Sequence, residues 1–370
     1  MEISIIDKDN NQFNGLWDLF LQDFEFASPF YSQLWCEYQI SYSEDALKKD
    51  LSIILVDKNN NFEPLLICPL YLEEYDGIKQ LSYRGEYLKV LRTPLISRKI
   101  SYKQRKKVES YFFTILDNYS KRFEFRKICF LIDPLCQIFE TKRYNYLTKY
   151  DYYDCSMQTR IIDLSKSVED LWSSITRHSY RSLINKQSRL YDVIVLDENS
   201  DKKYLKEIHD TYVEFHHKTA GRITRPIKTF DLQLEMIKNG IGFMIALFYN
   251  KKTIGINYYI NSQHSGYYAS SADDPDIELE VPTGHLIQWE AINYMKKIGI
   301  KYFELDNQYF GNQIFEHPSQ KEISISKFKA GFGGENMPLF RGIKYYDKEL
   351  FKEEMHSNIK LSLEDFNEQK

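Results

Sequence analysis

No two of the five cysteines, Cys36, Cys68, Cys129, Cys136 and Cys155, form a CxxC pair, and their number is odd. That argues against a zinc site and against a disulfide framework. No apolar run approaches the ~18 residues of a transmembrane span, and the opening MEISIIDKDNNQF lacks the basic region and apolar stretch of a signal peptide. The expectation is a reduced, cytoplasmic protein without a membrane span. A strong net charge is missing too: the formal value is −4 at pH 7. With no general attraction for nucleic acid or anionic lipid, any polyanionic partner must be met by a local patch. Nor is there a low-complexity stretch to serve as a free linker.

What is there is a long, ordinary globular chain. Its 370 residues exceed the roughly 100–200 of one domain, and 43% hydrophobic with 15% aromatic residues is enough for two cores. Hydrophobic periodicity tells the same story twice. A strand at Ile3–Ile6, helices at Leu16–Phe24 and Gln33–Ile40, and the hairpin LSIILVDKNNNFEPLLICPLY come first. A strand near Lys79 to Arg84, an amphipathic helix near Tyr102 to Ser120 and the strand KICFLIDP follow. The second half has helices near Val168 to Arg189 and Lys202 to His217, and a hairpin, GFMIALFYNKKTIGINYYI, that turns at Asn250-Lys251-Lys252. After it come the strand SGYYASSA, the helix HLIQWEAINYMKKIG and the strand KYFELD. Such repetition predicts two copies of one α/β unit joined near Tyr150 to Arg160. The expected division is 1–155, 156–345 and a helical tail, 346–370.

Three stretches of the second half carry candidate chemistry. Thr283-Gly284 opens a helix after a strand and a loop, which would present unpaired amides and the positive end of the helix dipole to an anion. Ordinary capping by Thr283 is the alternative. Arg177 and Arg181 stand i,i+4, with Lys186 and Arg189 further on, and Arg222 and Arg225 lie in the Gly/Pro-punctuated HHKTAGRITRP. Guanidinium forks suit phosphate oxygens, although a solvated helix face would look the same. Finally, SKFKAGFGGE concentrates Lys327, Lys329 and three glycines within ten residues.

Together with SPFYSQLW near the N-terminus, LWSSITRHSYRSLINK, AGRITRP, HLIQWEAI, KYFELD and above all KEISISKFKAGFGGE, these segments resemble FemAB/FemX-like proteins of the GNAT acyltransferase superfamily over nearly the whole chain. The resemblance implies an α/β fold of two tandem GNAT-like domains, each a mixed β-sheet flanked by helices. It also implies acylation of an amine. In one branch an aminoacyl-tRNA serves a peptidoglycan precursor. In the surface-polysaccharide branch acyl-CoA, with coenzyme A as carrier, acylates a nucleotide-linked amino sugar. The charge of −4 favours the second, since gripping several tRNA phosphates calls for a broad basic surface; tRNA is a partner only under the first, and neither DNA nor a metal is expected. By the same resemblance Lys329 meets the oxyanion or a substrate phosphate, with Lys327 and Lys321 as competitors. Candidate bases are Asp306, His285 and Asp273. The CoA pyrophosphate is expected at Pro282, Thr283, Gly284 and His285, its pantetheine along Tyr268 and Ser270, and substrate phosphates at Arg177, Arg181, Arg222 and Arg225.

Overall fold

The structure is a computed structural model of the chain and describes residues 1–24, 28–83, 90–138 and 144–368. Arg84, the expected end of one strand, and the last two positions of the tail lie outside the described residues. The chain forms two compact units: residues 1–157, 309–320 and 338–370 make the first, and 158–308 with 321–337 make the second. The first unit runs unbroken to residue 157, and beyond it the units are not consecutive in sequence. Residues 341–345, expected in the second domain, form the strand Arg341–Tyr345, which pairs antiparallel with Lys127–Leu131 in the first unit. Period-2 patterning marks a strand without naming its sheet, because any exposed ladder edge can receive it.

In the first unit the hairpin turns at 58–62 with Asn61 and Phe62 at positive φ, and its strands Ile53–Asp57 and Glu63–Cys68 are antiparallel. The apolar run does not continue into the same sheet. Pro69 has no N–H to donate, so the ladder stops at Cys68 and the chain resumes as Tyr71–Tyr75 in another sheet. Hence, among the described residues, this unit carries two sheets, of four and seven strands. The helix Tyr102–Phe123 begins with a Ser101–Gln104 capping box and buries Phe112, Phe113 and Leu116 in the core with Ile128 and Phe130.

The second unit has one seven-stranded sheet, in the order Asp192–Leu196, Gly242–Tyr249, Lys252–Asn261, Ser265–Asp273, Tyr302–Gln308, Met157–Asp163 and Glu335–Leu339. Asn250 and Lys251 both have positive φ between the paired residues Tyr249 and Lys252, the two-residue turn that suits the twist of an antiparallel hairpin. The strands Ser265–Asp273 and Tyr302–Gln308 run parallel, as their link through the helix Gly284–Lys297 requires. That helix places Leu286, Ile287, Ala291, Ile292 and Met295 in one core with Phe243, Tyr259 and Phe303. Both units are therefore mixed sheets flanked by helices. The repeat is imperfect because only the first unit splits its sheet.

Candidate functional site

The parallel strands of the second unit part company. Their ladder holds Ser265 to Tyr302, Gly266 to Phe303 and Tyr267 to Glu304, and goes no further. Each strand is bulged at the divergence. On one, Tyr268 faces Tyr259 and Ser270 faces Tyr258, so Ala269 is an extra residue. On the other, Glu304 faces Ile161 and Asn307 faces Thr159, which sets Leu305 and Asp306 against Arg160 alone. Asp306 takes φ +65°, a left-handed conformation that a β-residue adopts only when its surroundings impose it. Bulges re-aim side chains and end pairing; here Tyr268–Asp273 and Leu305–Gln308 are left unpaired with each other.

One cation is driven into this region. The helix Gln320–Ala330 carries both lysines of SKFKAGFGGE in its last turn, so they do not belong to the glycine loop. Two positions along a helix is more than half a turn, and the lysines separate accordingly: Lys327 is exposed while Lys329 is 7% exposed. Lys329 Nζ donates to Asp306 Oδ2 at 3.2 Å and to the Asn307 carbonyl at 3.5 Å. Lys321 sits exposed in the first turn of the same helix. The glycines have a different task. A Cβ on Gly331 would fall 1.5 Å from Tyr180 Cε2, and Gly333 and Gly334 have φ of +84° and +74°. Their carbonyls receive Arg160, whose Nε donates to Gly333 O at 2.6 Å and Nη2 to Gly334 O at 3.1 Å. These glycines permit close packing of the loop on its neighbours.

At the head of the helix Gly284–Lys297, Thr283 does not cap; its hydroxyl donates to Asp273 Oδ1 at 2.9 Å. The cap comes from Gln187, wholly buried, whose Oε1 accepts from Leu286 N at 2.6 Å and whose amide nitrogen donates to the exposed Pro282 through its carbonyl. One first-turn amide is thus spent on the protein itself. Gly284 faces Phe328, whose Cζ lies 3.1 Å from where a Cβ would be. His285 is enclosed by Tyr180, Phe328 and Phe332; burial lowers its pKa and its Nδ1 has no hydrogen-bond partner. Crowding by protein atoms raises the pKa of Asp273, with the Thr283 hydrogen bond pulling it partly back. Gln187→Ala is expected to leave the Leu286 amide buried and unpaired, a loss of about 1–3 kcal/mol. Urea unfolding that matched wild type would overturn this account of the cap.

The four arginines differ in their surroundings. The expected long helix breaks at Ile175, whose backbone is extended, and Arg177–Arg181 form a π-helical turn closed by Arg181 N donating to Thr176 O. The wider turn removes the i,i+4 face. Arg181 curls back to the Ile175 and Ser173 carbonyls, 2.9 Å each, whereas Arg177 and Arg222 are exposed. Arg225 stacks over Phe230, 4.0 Å from the ring centre, and donates to Gln233 Oε1. On the bulged strand Tyr268 is pushed up to about 12 by burial, and Ser270 Oγ shares a short hydrogen bond with Tyr212 Oη. Sequence reasoning missed Arg160, Gln187, Tyr180 and Tyr212. Only Arg160 left a signal, as the one cation of the strand MQTRIID.

Among the described residues no helix is long and apolar enough to cross a membrane. No family model and no curated protein matches the chain. Solved structures do. A FemX crystal structure superposes with a TM-score of 0.61 at 13% identity, covering 95% of this chain and 99% of its own. L-PGS from Bacillus licheniformis gives 0.53 at 10% identity, over 86% and 95%. A conserved protein of unknown function from Bacteroides thetaiotaomicron gives 0.52 at 11% identity, over 92% and 99%. At such identities the likeness is one of architecture: the chain has the two-unit α/β fold of FemX.

Proposed function

We propose that the protein is an N-acyltransferase that moves an acyl group from acyl-CoA to the amino group of a nucleotide-linked amino sugar. The observation that carries this reading is a nearly buried lysine held at the bulge of one of two diverging strands. Strands left unpaired with each other offer backbone groups to an extended donor chain. Beside them, fixed positive charge meets the oxyanion that forms when a neutral amine attacks a thioester carbonyl. In this reading Lys329 stabilises that oxyanion. Asp306, 59% exposed in its side chain with only Oδ2 engaged by Lys329, takes the proton released by the amine as the C–N bond forms. The C–S bond breaks and coenzyme A leaves as thiolate. Pro282 to His285, with Tyr268 and Ser270, hold the donor, and Arg177, Arg222 and Arg225 meet acceptor phosphates. Arg181, already engaged by two carbonyls, would have to exchange them to do so.

The likeness in fold to FemX favours a second reading, aminoacyl transfer from aminoacyl-tRNA to a peptidoglycan precursor. One experiment separates the two. Purified protein is given labelled acetyl-CoA with nucleotide-linked amino sugars, and in parallel labelled aminoacyl-tRNA with a peptidoglycan precursor. Label moving to the sugar with matching release of free thiol is expected. Label moving only from tRNA would replace the first reading by the second.

A further inference from the structure

One face of the helix Lys202–Ala220 carries polar atoms that acyl transfer, as assigned above, does not use. His209, Tyr212 and His216 recur at i, i+3 and i+7 and so share a stripe. The ring of Tyr212 lies 6.0 Å from that of His209 and 4.6 Å from that of His216. Phe230 closes the group, 5.7 Å from His216 and 5.6 Å from His217. Nε2 of His209, His216 and His217 and Oγ1 of Thr224 are all buried with no hydrogen-bond partner, and His209 as a whole is 2% exposed. Folded proteins pair nearly all such atoms. Four orphans around two aromatic rings point to a ligand that would pair them.

The chemistry of the orphans limits what that ligand is. Burial holds His209 and His216 down to about 4, so both are uncharged at neutral pH; His209 already hydrogen-bonds the Phe230 backbone, and each Nε2 offers a ligand one donor or one acceptor, as its tautomer dictates. The uncharged histidines give an anion no ion pair, and a hydrocarbon would leave the nitrogens unpaired. Hydroxyl groups both donate and accept, and the C–H faces of a sugar ring pack on aromatic faces; Tyr212 and Phe230 are both 0% exposed, so a ring reaches them only after the surrounding chain moves. Arg225, stacked on Phe230, stands where a diphosphate attached to that sugar can be met. Tyr212 also ties the group to Ser270, next to the bulged Ala269.

We propose that His209, His216, His217 and Thr224, grouped around Tyr212 and Phe230, bind the sugar ring of the acceptor. The proposal rests on the amino-sugar reading above and gives that sugar a place. In the segment 221–226, Thr224 and Arg225 turn inward while Ile223 is 73% exposed. The sugar enters as this segment lifts, with Gly221, at φ +63°, as its pivot.

The sugar can arrive on a nucleoside diphosphate or on a polyprenyl diphosphate, so calorimetric titration of the full chain uses both. UDP-linked amino sugar is compared with UDP, and polyprenyl-diphosphate-linked amino sugar in detergent with its bare carrier. At least one glycosylated form is expected to bind tenfold tighter, or more, than its carrier. His216→Phe and Thr224→Val should each shrink that increment about tenfold without altering carrier binding. No increment on either carrier, or an increment unchanged in both variants, overturns the proposal. If His216→Phe does not fold, Thr224→Val, which trades a hydroxyl for a methyl, decides alone. Transfer of label from acetyl-CoA is measured alongside. Sugar-dependent binding without transfer defeats the acyl-transfer reading and leaves the sugar site standing; transfer with an acceptor KM unmoved in both variants defeats the sugar site alone.

Discussion

Lys329→Ala is expected to turn over about 10²–10³ times more slowly than wild type, the usual loss when one preorganised donor to a developing oxyanion is removed. The effect should fall on kcat more than on KM, because the charge it meets is fully formed only in the transition state. The variant should fold. Lys329 is buried, but its partner Asp306 is 59% exposed in its side chain, so deleting the lysine strands no buried charge and the pair itself contributes little. Lys329→Arg should recover activity only in part, since a planar fork does not occupy the place of a compact ammonium. Steady-state kinetics on a confirmed acceptor, with thermal melting as a control, check all three. Wild-type turnover by folded Lys329→Ala would remove this residue from the chemistry and bring Lys327, then Lys321, under test.

The second large effect is on stability. Gly334→Ala is expected to cost about 2–5 kcal/mol: roughly 1–2 for a side chain in the left-handed region and about 1–3 for crowding. Gly334 has φ +74°, and its new Cβ would lie 2.5 Å from the carbonyl oxygen of Ile161. That atom is backbone within a sheet and cannot swing aside. Gly77 is the natural control, having the same φ of +74° with nothing within 4 Å of its Cβ position. Gly77→Ala should therefore lose only the first part, about 1–2 kcal/mol. Denaturant unfolding of both variants tests the difference; equal losses would mean that the approach to Ile161 costs nothing. Activity in Gly334→Ala should suffer too, since Arg160 holds the Gly333 and Gly334 carbonyls directly opposite the bulge at Asp306.

Much of this protein was legible in local patterning. Alternation and turn chemistry place the Asn250-Lys251 hairpin, the 3.6-residue period places the helices Tyr102–Phe123 and Gly284–Lys297, and the repeated element order foretells two α/β units. These features depend on residues near one another in sequence, where propensity and periodicity act. Lys329 was singled out by resemblance; that it is buried while Lys327 is exposed follows from the helix that carries both. The rest was decided between segments far apart. Lys329 meets Asp306 across 23 positions, and Gln187 caps Leu286 across 99. No periodicity records such pairings. The bulges at Ala269 and Asp306 arise from register, a property of two strands at once. Pro69 is visible in the sequence as a break, yet only the ladder it ends shows that the next strand joins a different sheet. The arginines teach the same lesson in reverse: an i,i+4 spacing implies one face only if the helix is regular, and the extended backbone at Ile175 converts that stretch into a π turn that bends Arg181 onto its own carbonyls. The sequence by itself determined most of the elements that form and which residues carry charges suited to the proposed acyl transfer. Tertiary structure decided which of those residues meet, because close approach, burial and register belong to pairs of segments and are set only when both are in place.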